Sequence, residues 1–157
     1  MNISRHRRIL GVGPLGFAGS SILFALLWLL ESNFIHGQIL SHSRPLKIAG
    51  LVFVAIWFCW HVWSLRAIRF WRDRHALCTT GPYRFVRHPI YAGGIFLAGY
   101  GVALMFNAWI MLAAPLLSYP FWSFLARKEE RMTATVFGET YKQYAKRTGG
   151  FLPKLFK

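Results

Sequence analysis

The stretch PIYAGGIFLAGYGVALMFNAWIMLAAPLLSYPFWSFLA, residues 89–126, contains no Asp, Glu, Lys, Arg or His. As one helix it would rise about 57 Å, roughly twice the hydrocarbon core of a bilayer. It must therefore turn back on itself, and Asn107, near its middle, is the natural place. Two spans, 89–106 and 108–126, then form a tight hairpin, with Pro115 and Pro120 expected to kink the second.

Two more spans lie upstream. Residues 10–30, strongest in the run ILFALLWLL, make the first, and residues 48–65 (IAGLVFVAIWFCWHVWSL) make the second, interrupted only by His61. A polar stretch with His36, Ser41, His42, Ser43 and Pro45 separates them. The apolar run after Arg8 is too long for the core of a typical signal peptide and has no convincing cleavage site, so it reads as an uncleaved span. The pattern predicts an all-α, integral membrane helical bundle of about four transmembrane helices, one domain over residues 1–157.

Composition agrees. The chain is 55% hydrophobic and only 15% charged, whereas a soluble domain carries roughly a quarter of charged residues. The net charge of +14 sets 19 Lys and Arg against five acids: Glu31, Asp73, Glu129, Glu130 and Glu139. The basic residues flank apolar runs, so the expected partners are membrane lipids, including anionic headgroups, and no nucleic acid. Arg5, Arg7, Arg8, the six arginines of 66–88 and all basic residues from Arg127 onward fall on one side; only Arg44 and Lys47 fall on the other. The positive-inside rule puts both termini in the cytoplasm, of an inner or plasma membrane if the host is bacterial. Cys59 and Cys78 are not a CxxC pair and imply no disulfide.

Chemistry concentrates in HALCTTGPYRFVRHPIYAGG, residues 75–94. Gly81-Pro82 is a turn signal, and His88-Pro89 reads as a helix start because proline suits the first turn. With Arg84, Arg87 and His88 beside it, that helix end would seat a carboxylate or phosphate, or the arginines would only anchor it in headgroups. Gly94, Ala98 and Gly101 share a face at helical spacing and allow close approach of a helix or a flat ligand. Glu129 and Glu130 would pair with the arginines, or hold hydroxyls or a cation. His61 is expected to hydrogen-bond a neighbouring helix. His36 and His42 lack a zinc-binding set, and no phosphate loop or nucleophile elbow is present. Met132, Val136, Tyr141 and Tyr144 recur at roughly helical spacing. They predict a C-terminal helix on the membrane surface or against the middle segment, ending near Thr148-Gly149-Gly150; the alternative is a solvated basic tail.

The segments TTGPYRFVRHPIYAGG, then KEE at 128–130, then FGETYKQYAKRTGGFLP at 137–153 resemble, in that order, the isoprenylcysteine carboxyl methyltransferase family. The related phospholipid N-methyltransferases share the pattern. The resemblance implies a membrane enzyme that moves a methyl group from S-adenosyl-L-methionine to a lipophilic acceptor, its cofactor held by residues 72–94 and 127–153. On the matching positions it implies cofactor contacts at His75, Ala76, Leu77, Cys78, Tyr83, His88, Pro89, Ile90, Tyr91 and Glu129. Tyr141, Tyr144 and Arg147 match its C-terminal pattern less directly. Glu130 and His88 are the candidate bases for an amine or thiol acceptor. Prenylcysteine-methylating members are expected to carry an arginine near the end of the fourth span. Counting back from the glutamates reaches Leu125, with Arg127 close by as the candidate catalytic cation. A phospholipid amine is the alternative acceptor. Rival readings are a sterol-type NADPH reductase, which shares R-H-P-x-Y but is much longer, and a non-enzymatic scaffold, which leaves the clustered Tyr, His, Glu and Gly unexplained. The acceptor's chemistry and the oligomeric state stay open.

Overall fold

Long apolar runs fold as helices in lipid because every backbone polar group must be satisfied within its own segment. The computed structural model describes residues 13–154; Arg5, Arg7, Arg8 and Lys157 of the charge count, and the start of the expected 10–30 span, lie outside the described residues. Helix α1 runs Gly13–Leu30 and continues through a π turn, Glu31–Ile35. Helix α2 is Arg44–Arg72, α3 is Pro89–Phe106, and α4 is Ala113–Arg147, entered through a 3-10 turn at Trp109–Leu112. All four are long and apolar enough to cross a membrane. Among the described residues there are only isolated bridges and no strand.

The expected bounds of α3 coincide with those observed, whereas α2 outruns 48–65 by absorbing Arg44–Lys47 and the arginines up to Arg72. Helices α1 and α2 expose Ile22, Leu26, Phe58 and Ile48, as lipid-facing helices do. The hairpin turn falls on Asn107, whose backbone is left-handed at φ 53°. Its side-chain amide accepts from the Leu40 N–H at 3.0 Å and donates to the Leu40 carbonyl at 2.8 Å, so the connection between α1 and α2 is sewn onto the turn. Where α2 crosses α3, a Cβ on Gly50 would stand 2.5 Å from the Gly101 carbonyl oxygen. Only glycines permit that approach.

Three expectations are corrected. Gly94 and Gly101 do not share a face, because Gly93–Gly99 is π-helical. The extra residue per turn rotates the register, so Gly94 meets Phe17 of α1 while Gly101 meets Gly50 and Val54 of α2. Non-helical backbone in α4 occurs not at Pro115 or Pro120 but at Gly138 (φ 54°, ψ −128°). Pro115 sits in the first turn, where a missing N–H costs nothing. Among the described residues His61 does not bond a neighbouring helix: its Nδ1 is buried without a partner there, and the ring leans on Trp57. The expected C-terminal helix is found after the break at Gly138, ends at Arg147 and packs on the middle segment through Tyr144 and Tyr83. Past Gly138 it buries Tyr141 and Tyr144, while Met132 and Val136 before the break stay exposed.

Candidate functional site

Four stretches meet at the basic end of the bundle. The first is the 3-10 turn Gly81–Arg84, whose Gly81 has φ 59°. The second is the entrance to α3, where Pro89 fills the first helical turn and its carbonyl accepts from Trp60 Nε1 at 2.8 Å. The third is the Glu129–Glu130 step of α4. The fourth is the segment after Gly138, which turns back to Arg87 and lays residues 148–151 along the α3 entrance. There Val86 and Gly149 form a parallel bridge, with the Arg87 N–H donating to the Gly149 carbonyl at 2.8 Å and His88 N–H to Gly150 at 3.1 Å.

Neighbouring residues on a helix point about 100° apart, and the two glutamates accordingly serve different partners. Glu129 is buried and accepts from the Tyr91 hydroxyl at 2.6 Å. Its other oxygen stands 3.8 Å from His88 Nδ1, beyond hydrogen-bond reach. Glu130 accepts from Arg87 Nε at 2.9 Å and lies 2.8 Å from the same guanidinium's Nη2. The same Glu130 oxygen is 2.9 Å from His88 Nε2. The imidazole is thus held between two carboxylates, with Tyr91 stacked parallel to it and Phe151 tilted by 29°, each 5.6 Å away between centroids. Arg87 Nη1 also donates to the carbonyls of Ala145 and Thr148.

Tyr83 is buried beneath Tyr144, whose hydroxyl donates to the Tyr83 carbonyl at 2.6 Å. Burial pushes the Tyr83 phenol far above its ordinary value and the Cys78 thiol up to about 11, so both are neutral surfaces at physiological pH. Beside the cluster runs a groove of about 400 Å³ between α4 and the returning segment. Tyr119, Phe151 and Leu152 line it, and Arg87, Arg127 and Glu130 give it charge.

Of the residues singled out from sequence, Tyr83, His88, Pro89, Tyr91, Glu129 and Glu130 come together here. Cys78 is buried, and Ala76, Leu77 and Ile90 are half-buried on the segments leading in. His75 is exposed and left-handed at φ 52°, at the end of the turn that closes α2. Arg127 is exposed on the groove wall, and Arg147 is exposed and turned back to the Gln143 carbonyl. Leu125, where an arginine was looked for, is buried at 3% exposure. The anion seat of Arg84, Arg87 and His88 is not formed: Arg84 is exposed, Arg87 is committed to Glu130 and carbonyls, and His88 faces carboxylates. Of the two readings of the acid pair, pairing with an arginine holds for Glu130 and Arg87; sequence reading missed Phe151 and the reach of Arg87 to the Ala145 and Thr148 carbonyls.

The family described as phospholipid methyltransferase matches residues 46–140. Protein-S-isoprenylcysteine O-methyltransferase of Xenopus laevis is 33% identical over 81 residues, covering 52% of this chain and 28% of its own. Its counterpart in Dictyostelium discoideum is 28% identical over 130 residues, covering 83% of this chain and 50% of its own. Cobalt-zinc-cadmium resistance protein CzcN of Cupriavidus metallidurans is 31% identical over 142 residues, covering 82% of this chain and 63% of its own. The chain thus spans less than two thirds of the length of these relatives. No solved structure matches it.

Proposed function

The chain belongs to the phospholipid methyltransferase family, and from that premise we propose that it is an integral membrane enzyme methylating a lipophilic acceptor with S-adenosyl-L-methionine. The supporting observation is the buried Glu129, tied to Tyr91 by one oxygen and facing His88 at 3.8 Å with the other. A carboxylate so placed suits the ribose hydroxyls of the cofactor, since each would make a charge-assisted bond. The aromatic rings of Tyr119 and Phe151 on the groove beside it suit a sulfonium, so the residues present fit the group. When bound, the cofactor would supply an electrophilic methyl. The chain's own residues would then bind it through 72–94 and 127–153, orient it against Glu129, and exclude water with Phe151 and the returning segment.

The acceptor would enter from the bilayer along the groove, whose Tyr119 end lies in the apolar part of α4 and whose far end carries Arg127 and Glu130. An isoprenylcysteine-type carboxylate needs no base. A phospholipid amine, the alternative, needs one, and the Glu130–His88 pair would receive the proton. The buried Leu125 favours keeping the amine in view. Both termini would lie in the cytoplasm with the basic end. Cysteine-accessibility labelling should then find residues 66–87 inside and Ser41 outside, and the reverse labelling rejects this orientation.

The deciding experiment is a calorimetric titration of the purified chain with S-adenosylhomocysteine and, separately, NADPH. Heat and a raised thermal midpoint with the first alone are expected. Response to NADPH alone, or to neither at millimolar ligand, rejects the methyltransferase reading. Labelled-methyl transfer to prenylcysteine or to phosphatidylethanolamine vesicles then identifies the acceptor.

A further inference from the structure

We propose that Arg87 is a positioning residue that latches residues 139–151 over the site about a hinge at Gly138, so that cofactor binding and closure of this segment are coupled. The coupling rests on the methyltransferase reading; the latch and hinge do not. An arginine offers five donors in a rigid fork, and Arg87 spends them on separate pieces of chain. Nε and Nη2 face Glu130 on α4 at 2.9 and 2.8 Å, and Nη1 reaches the carbonyls of Ala145 and Thr148 beyond the break. Its own N–H donates to Gly149. One side chain at the α3 entrance therefore fixes both α4 and the segment that follows it.

The hinge is equally specific. At φ 54° and ψ −128°, Gly138 occupies backbone that side-chain-bearing residues rarely visit. A Cβ there would meet nothing within 4 Å, and the residue is exposed. Glycine is thus required by conformation and not by space, and no packing holds the joint. What lies beyond it supplies one wall of the site: Phe151 stacks on His88, Leu152 lines the groove, and Tyr144 caps the Tyr83 carbonyl. If the segment swings out, His88 loses one of its two aromatic neighbours and Arg87 keeps only Glu130. A salt bridge serving stability alone would not need the two extra carbonyls across a hinge.

The test is limited trypsin digestion of the full chain in detergent, read by mass spectrometry, with and without S-adenosylhomocysteine. Cuts at Lys142, Lys146 and Arg147 report the segment; cuts at Arg66, Arg69 and Arg72 report general loosening. Arg87→Lys keeps the charge but not the fork, and Gly138→Ala alters only the hinge, so it stands if the first variant does not fold. Each should raise terminal cutting about tenfold with the α2 sites unchanged, and weaken the ligand about tenfold. By reciprocity the ligand must slow terminal cutting in the unmodified chain. The proposal is overturned if Gly138→Ala leaves terminal cutting unchanged, if both sets of sites rise together, or if cutting rises while affinity does not move. A chain that binds no ligand at all overturns the methyltransferase reading and the coupling with it, while the ligand-free cutting pattern still decides the latch and hinge.

Discussion

At the hairpin end of the bundle, Asn107 closes the turn with neutral amide bonds to the Leu40 backbone. At the basic end, Arg87, His88 and two glutamates close α3 onto α4 with charged groups. Both ends tie one residue of the α3–α4 pair to a distant loop. At the turn itself the Asn107 side chain gives and takes one bond and its carbonyl accepts from Ile39, although the nearby buried Glu31 keeps one oxygen without a partner among the described residues. The basic end leaves capacity over, because one oxygen of the buried Glu129 has no partner within hydrogen-bond reach. A carboxylate oxygen that is not shut off from solvent can be taken over by a ligand, whereas an amide already spent on backbone groups cannot. The difference separates structural from functional chemistry within one hairpin.

The largest effect expected at the basic end is that of Glu129→Gln. An amide cannot replace charge-assisted bonds to two hydroxyls, so S-adenosylhomocysteine should bind about ten- to a hundredfold more weakly, or roughly 1.5–3 kcal/mol. Isothermal titration measures it, and unchanged affinity would return Glu129 to a purely structural role. The mirror experiment is Asn107→Ala, which removes both bonds to Leu40 and places alanine in left-handed backbone. Stability should fall by about 1–3 kcal/mol, seen as a lower thermal midpoint in detergent, while ligand affinity stays put. Asn107→Gly, which restores the backbone freedom but not the bonds, should fall less. A loss of ligand affinity in either Asn107 variant would show that the two ends are not independent.

Legibility in the sequence follows the same division. The hairpin could be read because it depends on one length, an uncharged run twice a bilayer's thickness, and one turn residue inside it. The π stretch could not, since GGIFLAG carries no local signal for it; it arises where Gly93 must clear Trp57 and Trp60 while Gly94 clears Phe17. Gly138 lies between Phe137 and Glu139 in a segment whose periodicity reads as ordinary helix, so its break carries no local signal. Pairing of the glutamates with the middle-segment arginines is one of the two readings the sequence allows, but which arginine and which glutamate meet is not legible there, because Arg87 and Glu130 lie 43 positions apart. Family resemblance, not periodicity, gathered Tyr83, His88, Tyr91 and the glutamates into one site, and the coordinates bring these same residues together.

The smallest effect should be that of Glu130→Gln, and it sharpens the contrast within the acid pair. Glu130 is part-exposed, and its one engaged oxygen is shared between the Arg87 fork and His88 Nε2. A glutamine keeps a carbonyl oxygen able to accept from Arg87, and Arg87 keeps Ala145 and Thr148, so the returning segment stays in place. The charge, however, is lost beside His88. Cofactor affinity should therefore change within about threefold, well inside the cost of a single hydrogen bond to a charged group. If the acceptor is an amine, turnover should fall much further than affinity, because the Glu130–His88 pair would no longer take the proton; if it is a carboxylate, turnover should follow affinity. Measuring the dissociation constant and the single-turnover rate on the same preparation separates these outcomes. A larger affinity loss for Glu130→Gln than for Glu129→Gln would assign the hydroxyl-binding carboxylate to the wrong member of the pair and move the cofactor to the groove side of His88.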